Sequence, residues 1–343
     1  MKVDGSLLVD NPAEAGPMAQ QLEAEGFHGG FTFEGRHDPF FPLSVAAQQT
    51  KDLELITAIA IAFARNPMIL ANIAYDLQLL SEGRFILGLG SQIRPHIEKR
   101  FSSVWSSPAA RMREMVLAIR AIWASWHEGA ELDFEGEFYR HTLMTPVFNP
   151  GPNPHGLPPI FLAGFGPRMT EIAGEVADGF LMHPFHSMNY VREVTLPALE
   201  RGRQSGANPD ADFQISCQVI LAMGDTDEEL EAAMNGARAQ ISFYASTPAY
   251  RGVLDCHGWG DLQQELNVLS KRGAWLEMAG RVPDEVIEEV AIVGPRSAVA
   301  DRIRERYGAF ASRVSPVAPF RPDPEAMAAI AADLRSGEDA SSS

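Results

Sequence analysis

The sequence predicts a closed (β/α)8 (TIM) barrel carrying two insertions. Three observations lead there. Short apolar runs alternate with amphipathic segments almost to the end of the chain. Eight of those runs read as strands, mostly short and aliphatic, with helix-like stretches between them. The length of 343 residues, 45% of them apolar, suits one large barrel as well as two smaller domains. An open doubly wound sheet is the alternative, since eight strands are compatible with it too.

The elements follow in order. Lys2 to Leu8 is the first strand, and Asn11-Pro12 opens a helix to Ala24 that closes at Gly26. His28 to Thr32 is the second strand and Leu55 to Ala62 the third. Pro67 to Leu80 has apolar residues at helical spacing and ends at Ser81-Glu82-Gly83, before the fourth strand, Arg84 to Leu89. Ala109 to Trp126 is a long amphipathic helix, and Trp105, Trp123 and Trp126 on or near it read as packing residues. Glu131 to His155, rich in Pro, Gly and aromatics, is a first insertion before the fifth strand, Ile160 to Ala163. Gly166-Pro167 then starts a helix over Arg168 to Ala177, followed by the sixth strand, Gly179 to Met182, and the seventh, Phe213 to Ala222. Thr226 and Glu229 form a capping-box pattern at the start of a helix to Thr247. Ala249 to Ala291 is a second, largely helical insertion between the seventh and eighth strands. Pro295 to Gly308 and Arg313 to Val317 complete the barrel. Insertions of this length in a compact enzyme usually form lids or binding walls. A single domain over residues 1–322 is expected. After it comes a polar, acidic tail from Asp323, its last ten or so residues disordered.

Composition removes several function classes. There are 28 basic and 45 acidic residues, a formal net charge of −17, and no concentrated basic patch, so a nucleic-acid surface is not expected. Two cysteines, Cys217 and Cys256, supply neither a disulfide framework nor a four-cysteine metal site. Cys217, in the apolar run FQISCQVILAM, reads as a small buried hydrophobe. No apolar run reaches membrane-spanning length and the first residues lack a signal pattern, so a cytoplasmic protein acting on a small molecule is expected. There is no His-x-x-x-His pair and no Gly-x-Ser-x-Gly elbow, and no metal is expected.

Four stretches carry candidate chemistry. In GRFILGLGSQIRPH, residues 83–96, Ile93 stands where a dinucleotide fingerprint needs its third glycine, and no P-loop Lys-Ser/Thr pair is present. Gly88 and Gly90 read instead as letting a ligand approach a strand end beside Gln92. In IFLAGFGPR, residues 160–168, Gly164-Phe165-Gly166 leads from a strand into a helix starting at Pro167. Such a turn presents free backbone N–H groups to an anion such as phosphate, with Arg168 in the first turn. Phe33 to Asp38 places Glu34 and His37 just past the second strand, where barrel enzymes do acid/base or ligand work. His183 ends the sixth strand on the same face.

In their order and spacing, ITAIAIAFARNP, LSEGRFILGLGSQ, FEGEFYRHTLMTP, PPIFLAGFGPRMTEIAGEVADGF and VGPRSAVADRIRERY resemble the bacterial-luciferase-like superfamily, over about Val3 to Pro322. Within it they resemble the coenzyme F420-dependent oxidoreductases, including methylenetetrahydromethanopterin reductase. The resemblance implies a (β/α)8 barrel whose mouth holds a flavin or deazaflavin ring. It implies a bulge at the third strand with a non-proline cis peptide between Ala58 and Ile59, cofactor phosphate contacts at Gly164, Phe165 and Gly166, and ring contacts at Gly90 and Gln92. Glu34, His37 and His183 are the expected polar substrate or proton-transfer residues. Coenzyme F420 is the expected cofactor, with FMN as the alternative, and the protein is expected to be a homodimer. Glu34 is followed by Gly35, with His37 displaced, and Ile93 stands where sugar-phosphate enzymes carry a carboxylate; both depart from luciferases and sugar-phosphate dehydrogenases. An FMN-dependent monooxygenase and a non-catalytic flavin-binding barrel are the rival readings.

Overall fold

The computed structural model describes residues 1–320 and 324–339. Eight parallel strands form the barrel: β1 (Lys2–Ser6), β2 (Gly29–Thr32), β3 (Glu54–Thr57), β4 (Phe85–Gly90), β5 (Ile160–Gly164), β6 (Gly179–Met182), β7 (Gln214–Met223) and β8 (Arg313–Val317). Each pairs with its neighbour in sequence. β1 and β8 close the ring in register Lys2 to Arg313 and Val3 to Val314. The closed barrel, not the open sheet, is the fold.

Helices α1 (Ala15–Ala24), α2 (Phe40–Gln49), α3 (Pro67–Leu80), α4 (Pro108–His127), α5 (Pro167–Val176), α6 (Leu196–Ser205), α7 (Asp227–Ala245) and α8 (Arg296–Tyr307) surround it. Their starts follow the sequence signals. Asn66 accepts from the Ile69 N–H ahead of α3, with Pro67 in the first turn. Thr226 accepts from the Glu229 N–H at α7, while the Glu229 carboxylate returns to Asp225 rather than to Thr226. Trp123 and Trp126 are buried on α4, as packing residues.

Four readings change. α2 and α6 have no counterpart among the expected helices. The third strand breaks after Thr57, and only Ala60–Ile61 resumes pairing, with Leu89 and Gly90. The segment read as a tail forms a helix over Pro324–Asp339, with Ile330, Ala331 and Leu334 buried against the main core. The expectation for the last residues, 340–343, and for Asp323 lies outside the described residues.

The first insertion makes a short hairpin, Phe134–Glu135 with Arg140–His141. The second folds into four helices, Arg251–Asp255, Gly260–Lys271, Trp275–Ala279 and Asp284–Val290. Val253, Leu254, Leu266, Met278 and Ile287 from these helices join Phe185, Tyr190 and α7 in a second apolar core, separate from the main one.

At the N-terminal end of the barrel, Arg313 is fully buried and makes a bidentate pair with Asp4, at 2.6 and 3.0 Å, plus a 2.6 Å bond to Glu54. Burial alone would lower the Arg313 pKa, but the Asp4 and Glu54 carboxylates hold it above the ordinary arginine value. This cluster joins β1, β3 and β8 at the barrel's closure.

Candidate active site at the barrel mouth

Inside the barrel, Phe31, Ile56, Ile86, Phe161 and Leu181 fill the bore. Above them Ala58, Ile59, Ala163 and Val317, partly buried, form an apolar floor at the C-terminal ends of the strands. The peptide bond between Ala58 and Ile59 is cis. The two glycines of β4 have different jobs. A Cβ at Gly88 would lie 1.7 Å from the Thr57 carbonyl oxygen, and the Thr57 hydroxyl bridges the Gly88 N–H and C=O at 2.8 Å each. Gly88 therefore serves the close approach of β3, not ligand access as its sequence context suggests. Gly90 faces Ile59, whose Cδ1 would sit 2.9 Å from an added Cβ. Gln92 has φ +61, and its own Oε1 accepts from the Ile93 N–H at 2.9 Å.

Glu34 is anchored rather than free. Its Oε2 accepts from the Ile61 N–H at 2.8 Å and from Arg65 Nη1 at 2.6 Å, and its backbone N–H donates to the Ile59 carbonyl. Arg65 also binds Asp38 at 2.7 Å and the Ile61 carbonyl at 3.1 Å. The two carboxylates outweigh burial and raise the Arg65 pKa. This network holds the bulge after β3 from both sides. His37 lies exposed on the same loop, without a hydrogen-bond partner among the described residues.

The Gly164-Phe165-Gly166 turn opens α5. Gly166 has φ +77 and ψ 158, a region that only glycine adopts readily, and a Cβ there would meet nothing within 4 Å. The N-cap is Gly166, so no N-cap side chain covers the first-turn N–H groups of α5. The Thr170 hydroxyl fixes the turn through a 2.9 Å bond to the Gly166 carbonyl. These are the features of an anion site, and they put Gly164, Phe165 and Gly166 together on one wall of a small cavity with His183 and Tyr190.

His183 Nδ1 accepts from the Phe185 N–H at 3.1 Å, which leaves its proton on Nε2. Burial, followed by the charge of nearby His186, pushes its pKa down to about 3, so the imidazole is neutral. His186, at about 4 for the same first reason, joins the His183 carbonyl at 2.7 Å and the Tyr307 hydroxyl at 3.0 Å. Sequence reading missed Arg65, His186, Tyr307 and the aromatic residues Tyr244 and Tyr250. The rings of those two lie 4.7 and 4.5 Å from His183. No group of three or more His, Cys, Asp or Glu side chains placed to hold a metal occurs among the described residues. Nor is any helix among them long and apolar enough to cross a membrane.

The mouth fits a flat heteroaromatic ring with a phosphorylated side chain. The floor is apolar, and the glycine turn has open space at Gly166 and no N-cap side chain over its first-turn N–H groups. Gly90, Gln92, Ala58 and Ile59 cluster on the β3–β4 side, and Gly164, Phe165 and Gly166 on the β5 side. His183 lies with the latter, whereas Glu34 holds the bulge and His37 points to solvent.

Comparison with known proteins gives consistent findings. The family described as luciferase-like monooxygenase matches residues 2–313. An uncharacterized protein of Mycobacterium tuberculosis is 53% identical over 317 residues, covering 92% of this chain and 93% of that one. An F420-dependent glucose-6-phosphate dehydrogenase of Mycolicibacterium smegmatis is 30% identical over 264 residues, 75% of each chain. The structure of the coenzyme F420 dependent tetrahydromethanopterin reductase from Methanopyrus kandleri superposes with a TM-score of 0.78 at 19% identity. That match covers 98% of this chain and 99% of the other.

Proposed function

The chain belongs to the luciferase-like monooxygenase family, and from that premise we propose that it is an oxidoreductase using coenzyme F420 to move a hydride to or from a small organic substrate. The observation that carries this reading is the open, uncapped glycine turn at Gly166 beside the apolar floor of Ala58, Ile59 and Ala163. Relatives named as F420-dependent support the choice of a deazaflavin over FMN. A bound deazaflavin supplies the hydride acceptor or donor.

The chain's own residues do the rest. The Arg168 and Met169 N–H groups would hold the cofactor's phosphate, and the apolar floor would lie against its ring. Gly90 and Gln92, at the end of β4, would border the ring. Glu34 is a positioning residue, since its carboxylate is spent on the Ile61 N–H and Arg65. His183, neutral and with its Nε2–H directed away from Phe185, donates a hydrogen bond to a substrate oxygen. His37 contributes at the rim.

The test is a fluorescence titration of purified protein with F420 and with FMN, on the wild type and on Gly166→Ala. The expected result is F420 binding that falls about ten- to a hundredfold in Gly166→Ala, because the new residue resists the φ and ψ of the turn. FMN binding without F420 binding overturns the cofactor assignment and favours the monooxygenase reading.

A further inference from the structure

The second insertion returns to the barrel mouth at one place. The last turn of α7 carries Tyr244, and the turn Pro248–Tyr250 carries Tyr250 back over the ends of β5 and β6. Tyr250 lies 4.4 Å from Phe165 and 4.5 Å from His183, centroid to centroid, with tilts of 47° and 43°. Tyr244 meets His183 edge-on at 4.7 Å.

These four rings form a front row, each largely but not fully buried. Behind them is a back row that is buried: Phe185 is 0% and Tyr190 7% exposed, with Tyr190 stacked on Phe165 at 5.5 Å. Aromatic packing that served only the fold would bury both rows. Here the front row keeps part of its surface exposed, while Phe165 and His183 also line a small cavity with Tyr190 behind them.

The front row is also uncharged. Burial drives His183 to about 3 and lifts Tyr250 to about 12, so both are neutral across the physiological range. The neighbouring Arg251 is paired with Asp255, and Arg168 belongs to the glycine turn. A charged group placed against these rings would lose its hydration without gaining a counter-ion. A flat apolar group gains stacking contacts.

We propose that Phe165, His183, Tyr244 and Tyr250 form the substrate-recognition wall, that it takes an uncharged, flat apolar group such as an aromatic ring, and that Tyr250 is the residue setting this specificity. The inference rests on the reading of the mouth as an oxidoreductase site, and names the class of substrate that site receives. Tyr250 touches both Phe165 and His183 and is carried by the insertion rather than by a barrel strand or α7, so it tunes the wall without altering the floor.

The test uses three probes of defined chemistry, 2-acetylnaphthalene, 2-naphthoate and glucose 6-phosphate, titrated by saturation-transfer NMR into the full-length protein with and without F420. F420 binding by the wild type is read separately by deazaflavin fluorescence. Expected for the wild type is binding of 2-acetylnaphthalene, at least tenfold weaker binding of 2-naphthoate, and no saturation transfer to glucose 6-phosphate. Tyr250→Phe, which keeps the ring, should hold its affinity for 2-acetylnaphthalene. Tyr250→Ala should lose about tenfold, the effect of one aromatic contact. Tyr250→Leu, which keeps apolar bulk if the alanine variant unfolds, should also lose the preference for the flat probe. Equal affinity of wild type and both truncations, or tighter binding of either charged probe, overturns the proposal. Failure of F420 to bind while 2-acetylnaphthalene still depends on Tyr250 overturns the cofactor reading and leaves the wall in place.

Discussion

Replacing Glu34 separates a positioning role from a catalytic one. Its side chain is 6% exposed and that of its partner Arg65 14%. Removing one member of a buried ion pair costs about 3–5 kcal/mol when the remaining charge is left alone. Arg65 keeps Asp38 and the Ile61 carbonyl, which brings that contribution down to about 2 kcal/mol. Glu34→Ala also strands the Ile61 N–H, for about a further 1–3 kcal/mol. The expected loss is therefore about 4 kcal/mol for Glu34→Ala. Glu34→Gln keeps an acceptor for the Ile61 N–H and should lose about 1–2 kcal/mol. Equilibrium urea unfolding reads both as a shift in midpoint at constant slope. Crystals or hydrogen exchange of Glu34→Gln should show the 58–61 bulge loosened. If Glu34→Ala unfolds at the wild-type midpoint while turnover with F420 disappears, the carboxylate acts on the reacting atoms and the positioning role is wrong.

At the other end of the barrel, Arg313→Met should cost the upper part of about 3–5 kcal/mol, because Asp4, 1% exposed, is left without a counter-charge. The paired change Asp4→Leu with Arg313→Met should recover most of it in the same unfolding assay; a single variant as stable as wild type would refute the account. The two mouth histidines set an acid limit. Their folded values of about 3 and about 4 lie below the ordinary 6.5, so between those values the unfolded chain binds more protons. Stability is complete above about pH 6.5 and falls as pH drops, by up to about 1.4 kcal/mol per pH unit for each histidine. His186→Gln should remove one proton's worth of slope from a plot of unfolding free energy against pH, and an unchanged slope would show that His186 is not desolvated.

Much of the barrel was legible because strand and helix periodicity are local. The eight strands, the Asn-Pro and Gly-Pro starts and the cap at Thr226 lie in the sequence as short signals. α2, FFPLSVAAQQ, was not, because its apolar residues run together at its start and leave no clear helical stripe. The helix at Pro324–Asp339 is rich in alanine at its centre, but its flanks and the residues after it are polar and acidic, and Ile330, Ala331 and Leu334 are buried against distant elements. The glycine turn was readable for the same local reason as the strands. Arg65 had a signal that went unused, namely a lone charge at the end of the apolar run ITAIAIAFA. Tyr250 and Tyr307 had none. Tyr250 meets Phe165 from 85 positions further along the chain, and Tyr307 meets His186 across 121. Nothing in either neighbourhood announces the meeting.

The clamp between Asp4 and Arg313 spans 309 positions, and that gives the molecule a timetable. β1 is made first yet receives its second neighbour only when β8 leaves the ribosome. At about 5–20 residues per second, that wait lasts on the order of 15–60 s. Throughout it the growing chain is an unclosed sheet with a bare edge on β1, and later another on β7. Shelter during synthesis matters more for this chain than for a protein whose early strands are completed by their immediate successors, and a product truncated short of Arg313 keeps both edges for good.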